Sequence, residues 1–194
     1  MRWLPGTLVV FEGLDRTGKS TQVRRLTELP WPQPPATAHM PRGLNDATRD
    51  IYKVTEARKG DDPAAMQLLH LAAHVLNMQD LVRVRASQGL VMDRCEWSPL
   101  AYGRLGEGME SAGITPELFV KLVQGIWARL QPDVVFLFVQ PFEDDAANTS
   151  GVEATYRLLA ERAGDRCVEL LLDDPDAVHR QVITELQARG IVVD

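Results

Sequence analysis

Eight residues set most of what this chain can become. Gly13-Leu14-Asp15-Arg16-Thr17-Gly18-Lys19-Ser20 reads GxxxxGK[ST]. It stands between an apolar, β-branched run, Thr7 to Glu12, and a stretch of helical spacing from Lys19 to Leu29, marked by Val23, Leu26 and Leu29. That strand–loop–helix setting is the one a phosphate loop requires. Glycines let backbone N–H groups turn inward around the β- and γ-phosphates of a nucleotide, and the helix N-terminus that follows adds partial positive charge. Lys19 then pairs with the β/γ oxygens and the Ser20 hydroxyl ligates Mg²⁺. The segment Gly13 to Thr21 is therefore expected to bind ATP, with Mg²⁺ as cofactor. A chance match in a chain of this length is on the order of one per cent. The competing reading, a glycine-rich turn with a surface lysine, does not account for the strand before it and the helix after it.

The remaining pattern repeats that alternation. Leu90-Val91-Met92, ending at Asp93, Asp133 to Val139 and Cys167 to Leu172 read as strands. Helical spacing marks Asn45 to Lys59, Pro63 to Ser87, a segment opened by Thr115-Pro116, Val152 to Ala163, and a last one from Asp174-Pro175 that Gly190 stops. Pro30 to Pro41 holds five prolines and is expected to be irregular, with at most a short extended piece at Ala36 to His39. Strands apolar throughout and alternating with helices predict an α/β fold, a parallel β-sheet with helices on both faces, as one P-loop domain over residues 1–194. Ligands of such sheets sit at the carboxyl ends of the strands.

Composition removes other classes. The 194 residues are 45% apolar and 25% charged, with a formal net charge of −6. An acidic balance argues against a nucleic-acid polymer or an anionic membrane surface as partner. No run of 18 apolar residues reads as a membrane span. Cys95 and Cys167 lack metal-ligand or CxxC spacing and read as reduced thiols, so the expected compartment is the cytoplasm.

Candidate site residues follow the strands. Asp93-Arg94 closes the second strand, where a carboxylate can reach Mg²⁺ through water and an arginine fork can grip a phosphate. Arg42, past the proline-rich stretch, is a further phosphate ligand or a solvated side chain. His70 and His74 lie four apart on one face of the long helix, but without HExxH or a third ligand they do not read as a metal pair.

Phe11-Glu12-Gly13-Leu14-Asp15-Arg16-Thr17-Gly18-Lys19-Ser20-Thr21 resembles the FEGxDxxGKST of the thymidylate kinase family. Asp93-Arg94-Cys95-Glu96-Trp97-Ser98-Pro99-Leu100-Ala101-Tyr102 is similar to its DRYxxSxxAY. Pro132-Asp133 and the tail from Val168 to Leu186 resemble its later elements more generically. The resemblance implies a nucleoside monophosphate kinase-like fold, a deoxynucleoside monophosphate (dTMP or a relative) as acceptor, and a homodimer. It gives Lys19, Arg16 and Asp93 catalytic roles, with Arg16 against the transferring phosphoryl. It places Asp15 near the acceptor's 3′-hydroxyl, Arg94 on its phosphate and Tyr102 beside its sugar. Residues 141–155 correspond to a lid. The stretch from Pro141 to Thr155 contains no lysine or arginine and reads as short and charge-poor, which suits Arg16 as the internal arginine. The chain departs from the family at His39-Met40-Pro41-Arg42-Gly43, where only Arg42 survives as a ligand. It departs again on the long helix, where His70 and His74 replace the phenylalanine and arginine that read thymine. A base-contacting His74 is expected to make acceptor binding depend on pH between about 5 and 8. Two other readings stay open: a kinase of a deoxynucleoside or other small hydroxyl acceptor, with Asp93 or Glu12 as base, and a non-catalytic nucleotide-binding regulatory protein.

Overall fold

A computed structural model describes residues 1–58, 62–171 and 174–194. Its elements, in chain order, are β1 (Arg2–Trp3), β2 (Leu8–Gly13), α1 (Lys19–Thr27), β3 (Ala36–His39), α2 (Asp46–Ala57), α3 (Pro63–Gln88), β4 (Leu90–Asp93), α4 (Trp97–Tyr102), α5 (Pro116–Trp127), β5 (Val134–Phe138), α6 (Ser150–Ala163), β6 (Cys167–Glu169), α7 (Pro175–Ala188) and β7 (Val192–Val193). Two expected elements run past the described residues: the helix to Lys59 and the strand to Leu172. Capping explains where several helices begin. Asp62, Thr115, Thr149 and Asp174 each accept hydrogen bonds from first-turn N–H groups, and proline opens α3, α5 and α7.

The main sheet is parallel, in the order β3-β4-β2-β5-β6. The extended piece at Ala36–His39 is thus a full edge strand, held in register by β4 despite its prolines, which fall outside the pairing. β1 and β7 form a separate antiparallel ribbon that the sequence pattern did not suggest. Side chains of the sheet divide by parity, as a two-residue period demands. Leu8, Val10, Leu90, Met92, Val135 and Leu137 pack under α3, α4, α5 and α6, while Val9, Phe11, Val91, Val134, Phe136 and Phe138 pack against α1 and α7. Helices therefore cover both faces. No described helix is long and apolar enough to cross a membrane.

Strand order reverses around β2, with β4 on one side and β5 on the other, so the crevice beyond its carboxyl end is the topological switch point. Gly13 ends β2 there at φ 131°, and a Cβ on it would come within 1.9 Å of the Phe138 carbonyl oxygen. Only glycine lets β2 and β5 stay paired to the start of the loop.

Candidate active site

The loop after Gly13 closes over α1. Gly18 occupies the N-cap of α1 at φ 91° and supplies no side-chain cap, leaving the first-turn N–H groups open to an anion. A cleft of about 210 Å³ lies over them. Asp15, Arg16, Thr17, Gly18, Lys19, Ser20 and Thr21 line it from the loop, Asp93 and Arg94 from the end of β4, and His39 and Phe142 from its sides.

Lys19 is 5% exposed, and its ammonium donates to the Leu14 carbonyl and to Thr17 Oγ1 at 3.3 Å. Burial, reinforced by the Arg94 charge, lowers its pKa to about 8 against the pull of Asp93, Asp15 and Glu12. Asp93 is 3% exposed. Burial pushes its pKa up, but hydrogen bonds from His39 and Ser20 and the Lys19 charge outweigh that and hold it below the usual carboxylate range. Its Oδ2 accepts from the Ser20 hydroxyl and lies 3.2 Å from His39 Nδ1, whereas its buried Oδ1 has no partner among the described residues. A serine hydroxyl beside an ionised carboxylate with an unused oxygen is a hard-oxygen donor set, and it fits Mg²⁺ bound directly or through water.

Arg94 faces the loop from the other side. Its backbone is left-handed, φ 73°, a conformation uncommon for arginine and held here by the Arg94 N–H donating to the Phe11 carbonyl at 2.9 Å. The guanidinium donates to Ser98 Oγ (2.8 Å), Tyr156 Oη (3.2 Å), the Gly13 carbonyl (3.2 Å) and the Asp15 carboxylate, and it stacks over the Tyr102 ring 5.1 Å from the centroid. Beneath it lies Glu12, with no exposed surface. Its carboxylate accepts from Cys95 N (2.7 Å), Ser98 N (3.1 Å), Ser98 Oγ (2.7 Å) and Tyr156 Oη (3.2 Å). Tyr156, on α6, carries no spacing signal and was not legible as a site residue; its hydroxyl shows itself only through this buried network.

Residues 141–149 fold back onto the loop. Phe142 N donates to the Arg16 carbonyl at 2.9 Å, and the Asn148 amide bridges Asp15, accepting from its N–H and donating to its carbonyl at 2.8 Å each. Arg16 itself, at φ 56°, pairs with Glu143 (2.6 Å) and Asp145 (3.2 Å). The description of this segment as charge-poor is therefore corrected: it lacks cations, but its carboxylates engage Arg16 directly.

The acceptor-side expectations divide. Tyr102 stands beside Arg94, its hydroxyl 3.5 Å from Asn148 Oδ1. Arg42 is outside the cleft, exposed, its guanidinium stacked 4.8 Å over the Tyr52 ring, and so it is not gathered with the phosphate-facing groups. His70 is half-buried, and burial lowers its pKa against the nearby Glu56 charge. His74 is 3% exposed and its Nδ1 accepts the Trp127 indole N–H at 3.0 Å, which leaves Nε2 as its only N–H. Burial, with a smaller push from His70, lowers its pKa to about 3. The expectation that His74 titrates between pH 5 and 8 is overturned, because the ring is sealed in the core as a neutral acceptor for Trp127.

The family profile described as Thymidylate kinase matches residues 11–163, from the strand before the loop to the end of α6. The chain belongs to the thymidylate kinase family. A thymidylate kinase of Synechococcus sp. (strain CC9605) is 29% identical over 146 residues, 68% of this chain and 66% of that protein. One of Parasynechococcus marenigrum (strain WH8102) is 26% identical over 193 residues, 92% of this chain and 87% of that protein. The crystal structure of thymidylate kinase from Ehrlichia chaffeensis matches with a TM-score of 0.76 at 22% identity, covering 95% of this chain and all of that one, a likeness that speaks for the fold.

The depressed Lys19 has a measurable consequence for nucleotide binding. Phosphate charge beside the ammonium raises its pKa again, so between about pH 8 and 10 ATP binding takes up as much as one proton, and below about pH 7 it takes up none. Calorimetric titrations in buffers of different ionisation enthalpy measure this directly. Proton release, or no uptake at pH 9, contradicts the assignment of Lys19 as the phosphate-facing charge.

Proposed function

We propose that this protein is an ATP-dependent deoxynucleoside monophosphate kinase, which transfers the γ-phosphoryl of ATP to dTMP or a close relative to give the diphosphate. The observation that carries this reading is Arg94: a largely buried guanidinium opening on the same cleft as the phosphate loop, where a second phosphate can meet the first. The family membership of the chain supports the same conclusion.

In this reading residues 1–194 act as one kinase unit with 141–155 as its lid. N–H groups between Gly13 and Thr21 cradle the β- and γ-phosphates of ATP, and Lys19 turns from the Leu14 carbonyl to the phosphate oxygens. Ser20, with Asp93 through water, holds Mg²⁺, which neutralises phosphate charge when bound. Arg94 exchanges its Asp15 contact for the acceptor phosphate. That frees Asp15 to accept from the 3′-hydroxyl, while Tyr102 packs beside the sugar. On α3, His70 is the half-buried side chain left to face the base. Arg16 releases Glu143 and Asp145 to lie against the transferring phosphoryl. Exposed pairs of this kind are screened by water and weak, so the exchange costs little.

The alternative in which Glu12 serves as base toward a nucleoside hydroxyl is not favoured, since both its oxygens are already engaged by four donors in the dry interior. The cytoplasm is the proposed compartment, in keeping with the two free cysteines, and cell fractionation tests it. We also propose a homodimer. Val54 on α2, Leu68, Val75 and Leu76 on α3, and Leu118 and Leu122 on α5 are large exposed apolar side chains. They lie on helices that pack side by side, with α3 touching both others. Sedimentation analysis should find a dimer that Leu76→Glu with Leu122→Glu converts to monomer. A wild-type monomer at micromolar concentration refutes it.

Two further measurements test the chemistry. Arg94→Lys keeps the charge and loses the fork, and it should raise the acceptor KM tenfold or more while the KM for ATP changes little (about 1.4 kcal/mol at least). Assayed against nucleosides as well as monophosphates, a preference for an unphosphorylated acceptor would instead select the nucleoside kinase reading. Arg16→Gly should lower kcat by about a hundredfold with the KM for ATP nearly unchanged, as befits a contact made in the transition state. A change confined to ATP affinity would reduce Arg16 to a ground-state ligand.

A further inference from the structure

Behind the cleft, on the other side of α4, a groove of about 380 Å³ lies between α4, the end of α5, β5 and α6. Trp97, Leu100 and Leu159 are buried and form its apolar floor, while Arg162 and Arg166 are exposed at its rim and Glu96 lies half-buried between. The volume is that of a small-molecule site, and an apolar floor with a few convergent polar groups is the usual construction of one. Neither guanidinium has an ion pair or hydrogen bond among the described residues, and the Glu96 carboxyl makes none either. Three polar groups thus line one concavity with no hydrogen bond made among the described residues, Arg166 close enough for its charge to act on Glu96.

We propose that this groove is a second small-molecule site, taking an aromatic anion whose flat ring lies on Trp97, Leu100 and Leu159 and whose phosphate or carboxylate pairs with Arg162 and Arg166. The arginine fork matches either anion, and a ring with one such group fits the space. Glu96 adds a contact to the ring edge. Burial and the neighbouring Glu12 raise its pKa to about 7 against the Arg166 charge, so near neutral pH it can donate as well as accept. The groove also stays open in the proposed dimer. Gln124, which lines it, sits about 160° around α5 from Leu122 and about 120° from Leu118 at 100° per residue.

The test uses 1-naphthyl phosphate as probe, titrated calorimetrically into the full chain with the cleft already filled by ADP, Mg²⁺ and dTMP. The expected result is about one equivalent bound with Kd below about 1 mM. Arg162→Ala with Arg166→Ala should weaken that binding at least tenfold. Turnover should stay at the wild-type level, since both side chains are exposed and neither lines the cleft over the phosphate loop, and unchanged thermal melting establishes that the variant folds. No binding with the cleft filled overturns the proposal. So does binding that the double variant leaves intact, and an added sensitivity to Arg94→Lys would locate such binding in the acceptor half of the cleft instead. Because the arginine pair is read separately from turnover, loss of this site and failure of the kinase reading are distinguishable.

Discussion

A carboxylate with no access to water must find its solvation inside the protein, and Glu12 does so with donors from three parts of the chain. It sits at the penultimate position of β2, and the groups that surround it come from the turn after β4, from α4 and from α6. Removing one donor would leave a buried charge short of compensation, at a cost of several kcal/mol, so the arrangement tolerates little slack. That rigidity is passed upward. Ser98 and Tyr156 bond the carboxylate on one side and the Arg94 guanidinium on the other, so the charge in the cleft is aimed by the charge beneath it. The phosphate loop and the arginine facing it share this one anchor.

The strand–loop–helix unit around Gly13 to Ser20 was legible in the sequence because it is local. A phosphate loop needs contiguous residues between a strand and a helix, and the strands announce themselves by apolar, β-branched runs. What escaped was everything that depends on which way a helix is turned. Spacing places His70 and His74 on one face of α3, yet it does not say that this face meets the Trp127 indole, which decides the chemistry of His74. Counting cations in residues 141–155 showed what the segment lacks, while its effect comes from Glu143 and Asp145 reaching Arg16 more than 120 residues away in the chain. The groove behind α4 was invisible for the same reason, being assembled from residues 96, 97, 100, 159, 162 and 166 by packing alone.

The same ion pairs give the segment over the loop a defined electrostatic state before any nucleotide arrives. Arg16 is satisfied by carboxylates, so a cation that would otherwise attract any passing anion is matched. Being exposed, these pairs are weak, and a polyphosphate that brings a metal ion to relieve the displaced acids would dislodge them at little cost. In the proposed reading, preference for nucleotide over simple phosphate then rests on the loop, with Glu143 and Asp145 adding only a slight bias.

The parity of the sheet reaches beyond packing. Leu8 and Val10 point to one layer of helices, Val9 and Phe11 to the other, and the next residues along the same strand are Glu12 and the glycine that opens the loop. Losing or gaining a single residue within β2 would exchange the two cores and at the same time swing Glu12 away from its donors and Gly13 away from Phe138. The strand thus acts as a ruler with its zero mark at the catalytic loop. A change of length in this chain is therefore tolerated more readily in a connection, such as the prolines before β3, than within β2.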